Sequence, residues 1–209
     1  MSPPLVEVHG LVHVYDTEPA LAIEELALEP GRYHLAGPNG AGKSTLLGIL
    51  ATLIRPTQGH VSHAGHPLPD EALAVRACTG FAGHEPSLPA TLEAREALAQ
   101  TARLHGLDTQ VVDEALAAWG LAGWARERVA ALSHGQRARL DLARALLHEP
   151  PVALLDEPAS GLDEAARDTL SERLAQASPE LVLVAAPGRA PIDVDGRIEL
   201  IEGRVEASP

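Results

Sequence analysis

The chain has 209 residues, enough for one domain with a sizeable core or two small ones. Its formal net charge of −13 disfavours a general nucleic-acid-binding role, because such a surface repels phosphate backbones. The single cysteine, Cys78, excludes an intrachain disulfide, and no apolar run approaches the ~18 residues that read as a membrane span.

The N-terminus "MSPPLVEVHG" has neither the basic start nor the apolar stretch of a signal peptide, so none is expected. "LVEVHGLVHVY" alternates apolar and polar residues and predicts strand, with Val6 and Val8, then Val12 and Val14, on shared faces and Gly10 near a turn. "LAIEELAL" predicts a second strand, closed by the Pro30-Gly31 turn signal. "RYHLAG" is a short strand that runs into "GPNGAGKSTLL". Beyond it, Leu46, Leu47, Leu50, Leu53 and Ile54 fall at helical spacing, and Pro56 and Gly59 end that helix.

Residues 92 to 148 are mostly helical in pattern, with Val111, Val112, Ala115, Leu116 and Trp119 forming one packed stripe. "PVALLDEP" is a continuous apolar run between prolines, the pattern of a strand buried on both faces of a parallel sheet. A helix near 164–177, the apolar strand "ELVLVAA" and a "GRIELIEGRV" hairpin follow. Strands alternating with helices predict an α/β fold with a mainly parallel sheet, and the chain shows no internal repeat.

Gly37-x4-Gly42-Lys43-Ser44 completes a P-loop between a predicted strand and a predicted helix, the context that motif requires. Its glycines let successive backbone N–H groups turn inward around phosphate oxygens. The helix behind points its positive end at the same anion. Lys43 is the only lysine in the chain, and every other basic residue is arginine. A compact ammonium between the β- and γ-phosphates suits the cradle, whereas a planar guanidinium fork is too bulky. The candidate phosphate-binding stretch is Gly37, Pro38, Asn39, Gly40, Ala41, Gly42, Lys43, Ser44 and Thr45, with the Ser44 hydroxyl toward Mg²⁺. Asp156, closing the apolar strand, is the second candidate Mg²⁺ holder, and Glu157 beside it is the candidate general base for an attacking water.

With these motifs in order, the sequence resembles the ATP-binding cassette (ABC) family over nearly its whole length. "LSHGQRARLDLARALL" at 132–147 looks like that family's signature motif and helix, and "LLDEPASGLD" at 154–163 like its second nucleotide motif and D-loop. The resemblance implies a P-loop NTPase fold: a single ABC ATP-binding domain over 1–209, with an N-terminal antiparallel β subdomain and an inserted helical subdomain at about 86–148. It implies Mg²⁺ with ATP, and a head-to-tail homodimer holding two ATP molecules at its interface. Ser133, Gly135, Gln136 and Asp163 would serve the nucleotide bound by the other subunit, and Tyr15 would stack on adenine. It makes the chain a cytoplasmic ATPase subunit on the inner face of the cell membrane. There it would dock on separate transmembrane permease subunits through the surface near 80–105.

Three positions depart from the family pattern. His134 stands where a glycine is common, and His84, in "GFAGHEPSL", stands where the family has a glutamine. His84 is a candidate catalytic residue that bonds the metal-bound water or senses the γ-phosphate, the alternative being a solvated loop histidine. Pro187, in "AAPGRA", stands where the family has a histidine on the γ-phosphate, and proline offers no side-chain donor. The "GH" of "GFAGHEPSL" is similar to the haem-exporter ATPases of cytochrome c maturation, while a drug, lipid or polysaccharide exporter is as compatible. Two other readings stay open: a soluble ABC-type ATPase that meets no membrane, and a slow or non-hydrolysing ATP-dependent interaction module.

Overall fold

The computed structural model describes residues 4–207. In chain order its strands are β1 (Val6–Tyr15), β2 (Glu18–Leu28), β3 (Gly31–Ala36), β4 (Gln58–His63), β5 (His66–Leu68), β6 (Thr79–Ala82), β7 (Val152–Asp156), β8 (Leu181–Ala185), β9 (Gly196–Ile201) and β10 (Arg204–Ala207). Its α-helices are α1 (Lys43–Leu50), α2 (Ala72–Cys78), α3 (Ala94–Leu104), α4 (Gln110–Ala118), α5 (His134–Leu146) and α6 (Glu164–Ala177).

An antiparallel sheet has the order β2-β1-β4-β5, and a second sheet has the order β10-β9-β3-β8-β7-β6. In the second sheet every pair is parallel except β10 with β9. Every residue of β7 and β8 is buried, which is why both read as unbroken apolar runs. Their side chains alternate between two cores. Leu154, Leu181 and Leu183 pack on the face carrying α1 and the antiparallel sheet, whereas Leu155, Val182 and Val184 pack with α3, α4, α5 and α6. Each such fully buried aliphatic side chain stabilises the fold by roughly 1.5–3 kcal/mol. Helices α3, α4 and α5 all lie between β6 and β7, so the helical layer is an insertion in the parallel sheet.

Three local expectations are corrected. Gly10 makes no turn: β1 runs through it, and at φ +57° it forms a bulge where the pairing of β1 with β4 slips between His9 and Val12. The extra residue reverses the alternation, so Leu11 and His13 are buried after it while Val12 and Val14 lie on the more open face. Gly59 does not end a helix either. It lies within β4, where a Cβ would come within 2.4 Å of Gly10 O, so close backbone approach demands glycine. Helix α1 stops at Leu50, well before Pro56: Thr52 at φ +64° breaks the spiral, and the N–H groups of Leu53 and Ile54 return to Gly48 O. Ile54 folds back onto Gly48, and Leu53 is 64% exposed rather than on the helical stripe.

Candidate active site

The strand pairing sets the candidate residues in a row. Ala185 of β8 is the register partner of both Leu35 in β3 and Asp156 in β7, and Leu155 pairs with Ala82 in β6. The segments after β3, β8, β7 and β6 therefore leave the same edge of the sheet: the glycine-rich loop, Pro187, Asp156-Glu157 and His84. This edge, at the carboxyl ends of parallel strands, is where open α/β sheets hold ligands.

The loop between β3 and α1 is shaped by its glycines. Gly40 has φ +81° and Gly42 φ +99°, conformations costly for other residues. A Cβ on Gly37 would lie 2.1 Å from Leu200 O, and one on Gly42 would lie 2.6 Å from Ala20 O. The loop is braced from β9–β10, because Gly203 donates to Ala41 O at 3.0 Å and accepts from Ala22 N at 2.8 Å. Among the described residues the N–H groups of Gly40, Gly42, Lys43, Ser44 and Thr45 have no hydrogen-bond partner. Nor does α1 have a side-chain cap or an acidic residue in its first turn. Its positive end is left facing the loop. Lys43 is 6% exposed, and its Nζ donates to Gly37 O and Pro38 O at 2.8 Å each. That holds the ammonium inside the concavity with a third proton uncommitted.

Across β8, Asp156 is buried at the end of β7. Glu157 follows at φ +51°, a left-handed conformation held because its N–H donates to Ala185 O at 2.8 Å and its C=O accepts from Ser160 N at 2.9 Å. The turn aims the Glu157 carboxylate toward the loop after β6, where His84 Nδ1 lies 3.5 Å from Glu157 Oε2. Thus His84 and Glu157 are brought together, and His84, 56% exposed, remains open to a ligand.

These residues fit a nucleoside triphosphate with Mg²⁺. The unpartnered N–H groups and Lys43 complement phosphate oxygens, and Ser44 and Asp156 are hard oxygen donors. Among the described residues no group of three or more His, Cys, Asp or Glu could hold a metal alone. Mg²⁺ takes one or two protein oxygens and completes its shell with phosphates and water, so Ser44 and Asp156 are a sufficient pair of donors for it.

The remaining candidates lie elsewhere. Ser133 caps α5: its Oγ accepts from Gln136 N at 3.2 Å and the Gln136 side chain accepts from Ser133 N at 2.8 Å. Gln136 is thus partly committed to the cap, as is Asp163, whose Oδ1 accepts from Ala166 N at 2.9 Å at the start of α6. A Cβ on Gly135 would lie 2.8 Å from Gly161 O, and one on Gly161 2.5 Å from the His134 ring, so the signature turn and the D-loop are packed together. Tyr15 ends β1, is 51% exposed, and meets His13 edge-on at 4.5 Å. The strand after its turn brings Ala20 and Leu21 against Gly42.

Sequence reasoning missed four supports of this edge. His34 Nε2 donates to Ala186 O at 3.0 Å, fixing the residue before Pro187. Gly203 braces the loop, as above. Arg144 donates to Phe81 O at 2.6 Å and to Asp141 Oδ1 at 2.8 Å, tying α5 to the segment that ends at His84. Only His34 carried a local signal, as a polar residue inside an apolar strand.

A sequence profile of the ABC transporter family matches residues 25–160. The daunorubicin resistance ATP-binding protein of Streptomyces coeruleorubidus is 40% identical over 172 residues, 80% of this chain and 54% of its own length. The cytochrome c biogenesis ATP-binding export protein CcmA of Paramagnetospirillum magneticum is 37% identical over 174 residues, 81% of this chain and 80% of its own. A Nod factor export ATP-binding protein of Burkholderia orbicola is 40% identical over 146 residues, 68% of this chain and 48% of its own. The chain thus spans about half the length of the first and third of these relatives. Among solved structures, the ATP-binding subunit of an ABC transporter superposes with TM-score 0.83 at 26% identity, covering 98% of this chain and 89% of that one. A dimeric ATP-binding cassette in a post-hydrolysis state, bound to ADP and Pi, gives 0.83 at 25% identity, covering 98% and 97%. These matches make the chain a member of the ABC transporter family.

Proposed function

We propose that this chain binds and hydrolyses ATP as the cassette subunit of an export system, working on separate transmembrane permease subunits. The observation that carries the reading is the row of unpartnered N–H groups around Lys43, two strands from Asp156 and Glu157 on one sheet edge. Gly37 to Thr45 hold the phosphates, Lys43 neutralises charge at the β- and γ-phosphates, and Ser44 and Asp156 hold Mg²⁺. The metal supplies charge neutralisation on the phosphates when bound. Glu157 accepts the proton of the attacking water, and His84, beside it, orients that water or senses the γ-phosphate.

Residues 1–209 act as one ATP-binding domain, with residues of about 86–148 as its helical part; the insertion of α3, α4 and α5 between β6 and β7 supports that division. Ser133, Gly135, Gln136 and Asp163 face the nucleotide of a second copy in a head-to-tail homodimer, a role supported by their place at exposed helix starts. Tyr15, exposed at the turn before the strand that abuts Gly42, stacks on adenine. Among the described residues no helix is long and apolar enough to cross a membrane. On this reading, docking on the permease subunits puts the chain on the cytoplasmic face of the membrane. Exporter relatives, including the cytochrome c biogenesis protein, support export, with haem as the first cargo to test.

A slower, module-like ATPase is favoured by one observation: Pro187 leaves the edge between β3 and β7 without a side-chain donor where the family has histidine. Both readings require Mg-ATP binding. Equilibrium titration, followed by phosphate release from the purified chain, tests them. Binding with release supports the ATPase, binding without release supports the module, and no binding overturns both.

A further inference from the structure

Helix α5 grips the segment that delivers His84. Arg144 donates from one nitrogen to Phe81 O at 2.6 Å and from Nε to Asp141 Oδ1 at 2.8 Å. Asp141 is 2% exposed, and its second oxygen, Oδ2, is buried with no hydrogen-bond partner. A cavity of about 20 Å³ is lined by Asp141, His84, Glu157, His134 and Ser160. That is room for one water, which could bond groups too far apart to meet directly. Burial raises the Asp141 carboxyl above its ordinary value, while the charge and hydrogen bond of Arg144 and the Gly83 N–H work the other way. The carboxylate is thus set between the Arg144 guanidinium on its own helix and the Gly83 N–H, one residue before His84.

We propose that Asp141, held by Arg144, is a positioning residue for His84: it fixes the Phe81–His84 segment and so sets the orientation of the imidazole against Glu157. The inference rests on the ATPase reading for its consequence but not for its geometry. Helix α5 is capped by Ser133, so the same helix joins the end proposed to face a second copy to the pair His84–Glu157. The polar residues lining the cavity with His84 are Glu157 and Ser160 from the segment after β7, and Asp141 and His134 from α5.

The test is the imidazole NMR signals of His84 in the full chain, recorded at one fixed pH and assigned with His84→Gln. Asp141→Asn removes the charge that holds Arg144 and loosens the Phe81–His84 segment, so the His84 ring signals shift and broaden. Asp141→Ser, smaller and equally neutral, gives the same change and stands in if the first variant does not fold. In turnover assays kcat drops about tenfold with KM for ATP unchanged, as for a group acting only in the chemical step. In a His84→Gln background Asp141→Asn lowers kcat no further. His84 signals unchanged in a folded variant, or an equal loss of kcat in the His84→Gln background, overturn the proposal. The NMR arm needs no ATPase activity, so it separates failure of this inference from failure of the ATPase reading.

Discussion

The Lys43 ammonium donates to the carbonyl oxygens of both Gly37 and Pro38 at 2.8 Å, so the loop closes around its own cation. The geometry accounts for a lysine in a chain that otherwise uses arginine. A guanidinium would have to satisfy two convergent carbonyls and still leave room for phosphate, and its fork is planar and larger. Lys43→Arg therefore weakens Mg-ATP binding by about tenfold or more despite keeping the charge, the scale of one lost charge-assisted hydrogen bond. Nucleotide titration of the purified variant checks it, and an affinity within about threefold of wild type removes this explanation.

Pro187→His raises ATP turnover. The residue follows β8 on the edge between Leu35 and Asp156, and Ala186 before it is fixed by His34. One positioned donor at a transition state is worth about 10²–10³-fold in rate. The gain is smaller if His84 already supplies part of it. Turnover of Pro187→His, His84→Ala and the double variant separates the two. Loss in His84→Ala with rescue by Pro187→His identifies His84 as the compensating group, and no change in either background shows that Pro187 does not face the phosphate.

Acid weakens the fold through buried histidines. His63 is fully buried on β4, its Nε2 3.0 Å from Thr79 Oγ1, and burial lowers its pKa to about 4; His148, stacked on His105 at 3.8 Å, is lowered to about 4 chiefly by burial. The unfolded chain takes up these protons near pH 6.5 and the folded chain only near 4. The stability they contribute is therefore complete above 6.5 and is lost as pH falls through that window. For His63 the loss is roughly 3 kcal/mol. Denaturant midpoints of wild type and His63→Gln at pH 7.5 and pH 5 check it. The wild-type advantage must shrink on acidification, and a constant difference contradicts the assignment.

Much of the site was legible because phosphate chemistry dictates residue type at fixed spacing. Gly37 to Ser44 and Asp156-Glu157 announce themselves one motif at a time, and the alternation in β1 or the solid apolar runs of β7 and β8 announce the sheet. What escaped reading depends on distant partners. The bulge at Gly10 is visible only beside Gly59, which approaches it from β4. The end of α1 at Leu50 depends on Thr52 adopting positive φ, which no local rule for threonine foretells. Asp141 and Arg144 look like ordinary signature-helix residues until β6 is laid against them.

The central claim is that Glu157 is the base of an ATPase whose phosphate cradle is independent of it. Phosphate release and Mg-ATP affinity, measured together for wild type and Glu157→Gln, test it most directly. The account predicts release slowed by roughly 10²–10⁴-fold, the usual worth of a general base, with affinity retained and an ATP-bound dimer accumulating on sizing chromatography. Equal release rates in the two proteins, or loss of ATP binding in the variant, would contradict it.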